Sequence, residues 1–245
     1  MLIYQEIGYE ERAEFYDKEL DLANFYIFSQ YLSREKGSII LDIPCGTGER
    51  LTYLADKNKY LILVDKEKEM VHKAQEKIAR LALDNCCAIQ GSIEQDLDIG
   101  LHEVDVTLLL NYAIQFFSED KIIRIFQNLS KKSKKLFVEV KDYAKDVNFQ
   151  EGYYFQEEEA FMNKGEELKK IRRYWLKNNE VYINYLYLNN QYVKEMKMHL
   201  YNYSYERMAV LVKEANLKIV NAFSDYDLSE YTSNECRMIL ELEKQ

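Results

Sequence analysis

Short apolar runs alternate with segments of helical period along residues 39–141, and this alternation constrains the fold more than any other feature of the sequence. The predicted strands are residues 38–43, 60–65, 86–91, 104–110 and 135–141, and the predicted helices are residues 51–57, 66–83 and 118–130. Strands that alternate with helices at this interval form a mostly parallel sheet with helices on both faces. The sequence therefore predicts a doubly wound α/β fold.

The pattern changes after Lys141. Residues 166–203 are rich in aromatic and β-branched residues in alternating runs, which the pairs Asn178-Asn179 and Asn189-Asn190 separate. Asparagine tolerates the left-handed backbone conformations that tight hairpins require. We therefore expect an antiparallel β-meander of about three strands, followed by a helix over 204–217 and two closing strands.

The division of the chain follows from these patterns. Apolar and aromatic residues at helical spacing over residues 10–33 predict one or two amphipathic helices before the first strand. No Pro-, Gly- or Ser-rich linker separates the later elements. We expect one domain over residues 1–245, with its main sheet and helices in 35–145 and 204–245, and with the meander inserted at 150–203 on the substrate side.

Composition limits the classes of partner. The formal net charge is −9, which disfavours a nucleic-acid partner because nucleic-acid binding relies on Lys and Arg. The longest apolar run is too short and too interrupted to span a bilayer. Four cysteines and three scattered histidines suggest neither a disulfide framework nor a metal site. With no signal-peptide pattern at residue 1, a cytoplasmic location is expected.

The segment IILDIPCGTGERL, residues 39–51, carries the chemistry. Gly46 and Gly48 lie in the turn after the first predicted strand of the parallel sheet, where a ligand approaches the backbone most closely. Asp65, at the end of the next strand, is placed to accept hydrogen bonds from the hydroxyls of a ribose. A nicotinamide dinucleotide would favour a third glycine, which is absent, and Glu49 would repel its pyrophosphate.

This pattern resembles the class I S-adenosylmethionine-dependent methyltransferases, whose first motif is an apolar strand, an acid and a Gly-x-Gly-x-Gly turn. The resemblance implies a seven-stranded, Rossmann-like sheet and S-adenosylmethionine as the cofactor, with S-adenosylhomocysteine as its product. In the family the first motif holds the methionine moiety and the acid after the second strand binds the ribose. The matching residues are Asp42, Pro44, Cys45, Gly46, Gly48, Asp65 and, beside the adenine, Lys66.

Later segments match further motifs of the family more loosely. Gly91, Ser92 and Ile93 resemble the adenine motif, with Ser92 in place of the usual acid. Asn111 and Gln115 follow the fourth strand, where relatives place polar residues near the cofactor and the substrate. The segment EFYDKEL resembles the start of small-molecule methyltransferases, which implies that residues 1–34 form a helical lid with Tyr16 against the cofactor.

The resemblance implies methyl transfer to a small-molecule acceptor. The order of elements is similar to that of N-methyltransferases that act on amino sugars, so an amine nitrogen is the expected acceptor. Asn111, Gln115 and Tyr16 are the candidates for a catalytic role, and a homodimer is compatible with the pattern. Two alternatives stay open: a nicotinamide-dependent oxidoreductase, and a protein that binds S-adenosylmethionine without catalysis.

Overall fold

The computed structural model describes residues 3–18, 22–34, 37–95, 99–146 and 154–245. Within these ranges the chain forms one sheet of seven strands and one of five. No helix in the described ranges is both long enough and apolar enough to cross a membrane. Tyr153, one of the aromatic residues of the expected meander region, lies outside the described residues.

The strands are β1 (Ile3–Glu6), β2 (Ile39–Asp42), β3 (Tyr60–Asp65), β4 (Cys86–Gln90), β5 (Val104–Leu109), β6 (Ser133–Lys141), β7 (Tyr154–Asn163), β8 (Glu166–Lys177), β9 (Glu180–Leu188), β10 (Tyr192–Tyr201), β11 (Leu217–Phe223) and β12 (Arg237–Lys244). The helices are α1 (Tyr9–Arg12), α2 (Phe25–Leu32), α3 (Leu51–Leu54), α4 (Lys68–Arg80), α5 (Glu119–Lys132) and α6 (Tyr205–Glu214). Short 3₁₀ turns cover Tyr16–Lys18, Ala55–Lys57, Ala113–Phe116 and Tyr143–Lys145.

The larger sheet has the strand order β11-β12-β6-β5-β2-β3-β4. Six of its strands run in the same direction, and β12, between β11 and β6, runs in the opposite direction. This confirms the predicted seven-stranded, mostly parallel sheet. The chain passes from β2 to β3 and β4 on one side, and then returns to β5 and β6 on the other. The direction of winding reverses between β2 and β5, which is where open α/β sheets bind ligands.

Both faces of the larger sheet are covered by helices. Helices α5 and α6 pack their apolar residues on one face, and α2, α3 and α4 pack on the other. Strands buried on both faces are apolar along their whole length instead of alternating. This explains why Leu61, Ile62, Leu63 and Val64, which are at most 1% exposed, follow one another in β3.

The smaller sheet has the order β1-β10-β9-β8-β7. Lys164-Gly165 and Asn178-Asn179 form two of its hairpin turns, and all four residues have positive φ, as such two-residue turns require. The prediction of about three meander strands was too low because β7 was missed. Its three consecutive acids, residues 157–159, break the alternation that marks a strand, and the basic residues of β8 pair with them across the sheet.

The N-terminal region contains an amphipathic helix, α2, within the predicted range 10–33, and a strand that was not predicted. Residues 3–6 form this strand, which pairs in parallel with β10, and among the described residues α1, one 3₁₀ turn and α2 follow before β2. Helical spacing is a local signal, whereas this strand exists because of a partner more than 180 residues away. The described part of the expected helical lid is therefore a short strand followed by short helical turns.

Gln115 joins the two sheets. Its side chain is 0% exposed; Nε2 donates to the carbonyls of Lys141 and Tyr201, both at 3.0 Å, and Oε1 accepts from the amide of Lys141 at 2.8 Å. Lys141 ends β6 and Tyr201 ends β10. The structure thus places this residue in the interior between the sheets, not at an open substrate pocket as the sequence suggested.

We expect Gln115→Met to lower the free energy of unfolding by about 2–4 kcal/mol, since three buried backbone groups lose a partner. Urea unfolding monitored by circular dichroism measures this change. Gln127→Met on α5 is the matched control, and it should change the unfolding free energy by less than about 1 kcal/mol. Equal stabilities of the two variants would contradict the bridging role of Gln115.

A buried ion pair lies beneath the turn that follows β2. Asp42 is 0% exposed and Arg50 is 1% exposed. The guanidinium donates from Nε and Nη2 to the two carboxylate oxygens, both at 2.9 Å, and Nη2 also donates to the Pro44 carbonyl at 3.2 Å. Asp42 therefore faces Arg50 inside the protein and fixes the turn from below.

We expect Asp42→Leu and Arg50→Met each to lower the free energy of unfolding by about 3–5 kcal/mol, because each leaves one buried charge without its partner. The double variant should recover most of that loss, since it leaves no buried charge. A double-mutant cycle by urea unfolding measures the coupling. Independent, additive effects of the two changes would argue against this pair.

Candidate active site

A cleft of about 380 Å³ opens at the carboxyl ends of the central strands. Its lining residues come from the ends of the central strands and the turns after β2, β3, β4 and β5, and from helices α4 and α5. Tyr9 and Tyr16 of the N-terminal segment, residues 3–18, complete the lining. The cleft therefore lies where the winding of the sheet reverses. The glycine turn and Asp65 predicted a ligand in the same region from the sequence.

The glycine turn, residues 44–48, forms one wall of the cleft. It is tied to β3 by two backbone groups: the Cys45 amide donates to the Val64 carbonyl at 2.8 Å, and the Gly46 amide donates to Asp65 Oδ2 at 2.9 Å. Gly46 has φ +56°, and a Cβ at this position would stand only 2.7 Å from the ring of Tyr16. Glycine at this position leaves the close approach possible.

Gly48 allows neighbouring side chains to pack closely against the turn. Its φ is +78°, and a Cβ would lie 3.2–3.3 Å from Ala74, Leu51 and Leu63. The residue lets α4 and β3 approach the turn from the side away from the cleft. Gly48 thus shapes the turn without lining the cleft.

Asp65 lies at the end of β3, on the floor of the cleft, and is 6% exposed. Oδ2 accepts from Gly46 and Oδ1 accepts from the Glu67 amide at 3.0 Å. Burial raises the pKa of this carboxyl to about 6, although both backbone amides favour its charged form. Each carboxylate oxygen has two lone pairs, so both can still accept a further hydrogen bond.

The turn after β4 forms the opposite wall. The Gly91 amide donates to the Asp65 carbonyl at 2.9 Å, which holds this turn against β3. Ser92 Oγ accepts from the Glu94 amide at 3.3 Å, and Ile93 presents an apolar side chain that is 8% exposed. The wall thus combines a short hydroxyl side chain with an apolar surface, and both border the cleft.

Asn111 stands at the end of the cleft that β5 supplies. Asn111 and Tyr112 have φ values of +57° and +58°, a conformation that non-glycine residues rarely adopt. Glu139, which is 2% exposed, accepts from the Asn111 amide at 2.7 Å, from the Tyr226 hydroxyl at 2.9 Å and from Arg237 Nε at 2.8 Å. This buried carboxylate holds the unusual backbone turn in place.

Aromatic residues close the same end. Tyr9 and Phe116 meet edge to face with ring centroids 6.1 Å apart, and Phe117 also lines the cleft. Sequence reasoning did not single out these three side chains. The pair Phe116-Phe117 follows the fourth predicted strand closely and offered a usable signal, whereas no local pattern points from Tyr9 to a residue 107 positions later.

Tyr16 is the residue of the N-terminal segment that reaches the glycine turn. Its ring lies against Gly46, beside Asp65 and Lys66 in the cleft. Burial raises the pKa of its hydroxyl to about 12, so the hydroxyl stays protonated at neutral pH. Tyr16 can therefore cover a ligand but is a poor proton acceptor.

The structure brings most of the predicted residues together. The predicted residues that line the cleft are Tyr16, Pro44, Gly46, Asp65, Lys66, Gly91, Ser92, Ile93 and Asn111. The four that do not line it are Asp42, Cys45, Gly48 and Gln115. Cys45 is 1% exposed and contributes its backbone to the turn, and the other three have the structural contacts described above.

The cleft suits an adenosyl sulfonium better than a diphosphate. Asp65, Glu67 and Glu94 line the cleft, and Glu49 is packed behind the glycine turn. Lys66 and Lys121 also line it, but they are paired with Glu67 and Glu94, whereas Asp65 accepts from two backbone amides. A carboxylate attracts a cationic ligand and repels an anionic one. The Asp65 oxygens can accept hydrogen bonds from hydroxyl groups, Gly46 leaves room beside the turn, and Ile93 offers an apolar surface.

Comparisons with known proteins agree with this site. A family model described as a methyltransferase domain matches residues 34–203. The fold is similar to that of an S-adenosylmethionine-dependent methyltransferase from Clostridium acetobutylicum, with 17% identity, a TM-score of 0.76, and 96% of this chain and 98% of that chain covered.

Two further solved structures are similar. The CcbJ methyltransferase from Streptomyces caelestis has 14% identity and a TM-score of 0.80, covering 96% of this chain and 97% of that one. KedS8 from a Streptoalloteichus species, described as a sugar N-methyltransferase, has 16% identity and a TM-score of 0.69, and the match covers 94% of this chain and 92% of that chain. A comparison with curated proteins finds no match. With the family model matching well over half of its length, the chain belongs to the methyltransferase-domain family and is a class I enzyme that uses S-adenosylmethionine.

Proposed function

We propose that this enzyme transfers the methyl group to an amine nitrogen of a small-molecule acceptor by in-line displacement. One observation carries the choice of nitrogen: the described residues at the β5 end of the cleft include no carboxylate and no histidine. That end is lined by Tyr9, Leu110, Asn111, Ala113, Phe116, Phe117 and Lys121, and the Lys121 ammonium is paired with Glu94 of the turn after β4. The acids of the cleft lie after β3 and β4 instead.

These described lining residues include no histidine, and the nearby Glu94 carboxylate is bound to Lys121, which separates the classes of acceptor. An aliphatic hydroxyl is a weak nucleophile and needs a general base beside it. A neutral amine attacks without losing a proton first, and its product can release the proton to solvent afterwards. An amine therefore suits the acceptor end of this cleft better than an aliphatic hydroxyl does.

The residues of the cleft hold the cofactor and orient the acceptor toward its methyl group. Asp65 accepts from the ribose hydroxyls, Gly46 faces the methionine chain, and Lys66 with the Gly91–Ile93 turn borders the purine. The bound cofactor supplies an electrophilic methyl group with a thioether as its leaving group. Asn111 borders the acceptor through its side-chain amide, and the rings of Tyr9, Phe116 and Phe117 exclude water and stabilise a cationic product.

Other observations support the proposal more weakly. KedS8, whose fold is similar over 94% of this chain, is described as a sugar N-methyltransferase. The meander lines no part of the cleft within the described residues. We therefore assign it a supporting role, through its contacts with the N-terminal segment.

We expect calorimetric titration to show binding of S-adenosylmethionine and S-adenosylhomocysteine at micromolar or tighter affinity, and no binding of NAD at the same concentrations. A methyl-transfer screen should then compare amino sugars and other amines with their hydroxyl counterparts. Transfer to the amine of each pair is the expected result. Transfer only to the hydroxyl compounds would overturn the choice of nitrogen, and cofactor binding without any transfer would favour a non-catalytic role.

The raised pKa of Asp65 predicts how nucleoside affinity depends on pH. Only the carboxylate accepts from both ribose hydroxyls, so affinity is full well above the pKa and falls as the pH drops through about 6, where half of the carboxyl is protonated. The limiting loss is about tenfold per pH unit. Titration with 5′-methylthioadenosine from pH 5 to 7.5 measures it, because this ligand has the ribose and purine but no amino acid to titrate.

Asp65→Asn is the matched variant for this experiment. It preserves the shape of the side chain but keeps one acceptor oxygen and does not titrate. We expect weaker binding at pH 7.5 and a flat profile down to pH 5. A variant profile that still falls below pH 6 would assign the titration to another group.

A further inference from the structure

Four polar side chains join the N-terminal segment to the glycine turn and to α4. They are Asp17, Thr47, Glu49 and Lys77. Lys77 Nζ lies 2.6 Å from Asp17 Oδ2, 2.7 Å from Glu49 Oε1 and 3.1 Å from Thr47 Oγ1. The Thr47 hydroxyl donates to Asp17 Oδ1. One ammonium thus connects three separate parts of the chain.

This cluster is more buried than a surface ion pair. Thr47 is 0% exposed, and the side chains of Glu49 and Lys77 are 6% and 17% exposed. Glu49 Oε2 is buried and accepts from no donor among the described residues. Asp17 is 47% exposed and is the only member contributed by the N-terminal segment. Thr47, Glu49 and Lys77 therefore form a largely buried polar site, and Asp17 of the N-terminal segment binds to it.

Asp17 directly follows the residue that covers the glycine turn. Tyr16 lies against Gly46 on the cleft side. On the other side, the ring of Phe15 packs on Tyr187 of the smaller sheet, with centroids 4.3 Å apart. The position of Tyr16 is thus set by an apolar contact before it and by the polar cluster after it.

We propose that Asp17, Thr47, Glu49 and Lys77 form a latch that holds Tyr16 over the cofactor and opens to let the cofactor exchange. Lys77 and Glu49 are then positioning residues, since they act on the ligand through Tyr16. This inference rests on the cofactor occupying the cleft beside Gly46. It adds a specific closing contact to the cover formed by the N-terminal segment.

The protonation states of Glu49 and Asp17 make the latch sensitive to pH. Burial, followed by the hydrogen bond with Asp17, raises the pKa of Glu49 to about 8, and the Lys77 ammonium opposes this. Burial alone would raise the pKa of Asp17, but its hydrogen bonds with Glu49, Lys77 and Thr47 outweigh burial and lower the pKa to about 2. At neutral pH Glu49 holds a proton and can donate it to Asp17.

Above about pH 8 the balance changes. Glu49 becomes charged, so two adjacent carboxylates share one ammonium in a poorly solvated site and repel each other. The other titratable groups that interact with Glu49 are Arg50, Tyr16 and Cys45. Arg50 is already paired with Asp42, and both the tyrosine and the cysteine have raised pKa values. They do not compensate the second charge.

Two variants and a control test the latch at pH 7. Lys77→Met removes the shared ammonium, and Asp17→Asn weakens the contact from the other side at a half-exposed position. Lys73→Met, one turn earlier on α4 and partly exposed, is the matched control. Hydrogen exchange of residues 9–18 should be faster in both variants than in the wild type and the control. Affinity for 5′-methylthioadenosine should fall by about tenfold, equivalent to about 1.4 kcal/mol.

Glu49→Gln separates a latch from a merely structural contact. Its amide can donate to Asp17 at every pH, so the loss of affinity that the wild type should show between pH 7 and pH 9 should disappear. A loss that persists in Glu49→Gln, or equal behaviour of Lys77→Met and Lys73→Met in both measurements, would overturn the latch. If the wild type bound no adenosyl ligand, the cofactor assignment would fail, whereas exchange of residues 9–18 would still decide whether the contact holds the segment.

Discussion

The hydrogen bond from the Gly46 amide to Asp65 is the interaction on which the site depends. It joins the turn after β2 to the end of β3, so the Gly46 surface and the Asp65 carboxylate, which both border the cleft, cannot move independently. Arg50 supports the same turn from below by binding both Asp42 and the Pro44 carbonyl. The turn is thus held from two sides by buried polar groups, which leaves Gly46 free to form the surface of the cleft.

The larger sheet was predictable because its signals are local. A strand buried on both faces is an uninterrupted apolar run, and an amphipathic helix such as α4 repeats its apolar residues every three or four positions. The end of such a strand also marks where a ligand-binding residue can lie, which is why Asp65, Gly91 and Asn111 were placed correctly in the cleft. These positions follow from chain order alone.

The remaining features depend on partners that are distant in sequence. The motif located Asp42 but not the direction of its side chain, which is set by Arg50 eight residues later. Gln115 resembled a substrate residue because it closely follows the fourth predicted strand. Its hydrogen bond to the Tyr201 carbonyl at the end of β10 shows that it bridges the two sheets instead. Strands β1 and β7 were missed because neither has the alternation of a half-buried strand. Pairing with β10 and with the basic residues of β8 stabilises them instead.

The parallel pairing of β1 with β10 also determines how far the N-terminal segment can travel. Because residues 3–6 pair with β10 and the Ile7 amide donates to the Glu195 carbonyl, the short stretch from Gly8 to Tyr16 is the tether between that anchor and Asp17. When Asp17 separates from Thr47, the two groups remain at a high effective concentration, as linked binding partners do. Reclosure is therefore a unimolecular step whose rate depends on the length of this tether and not on the concentration of the enzyme.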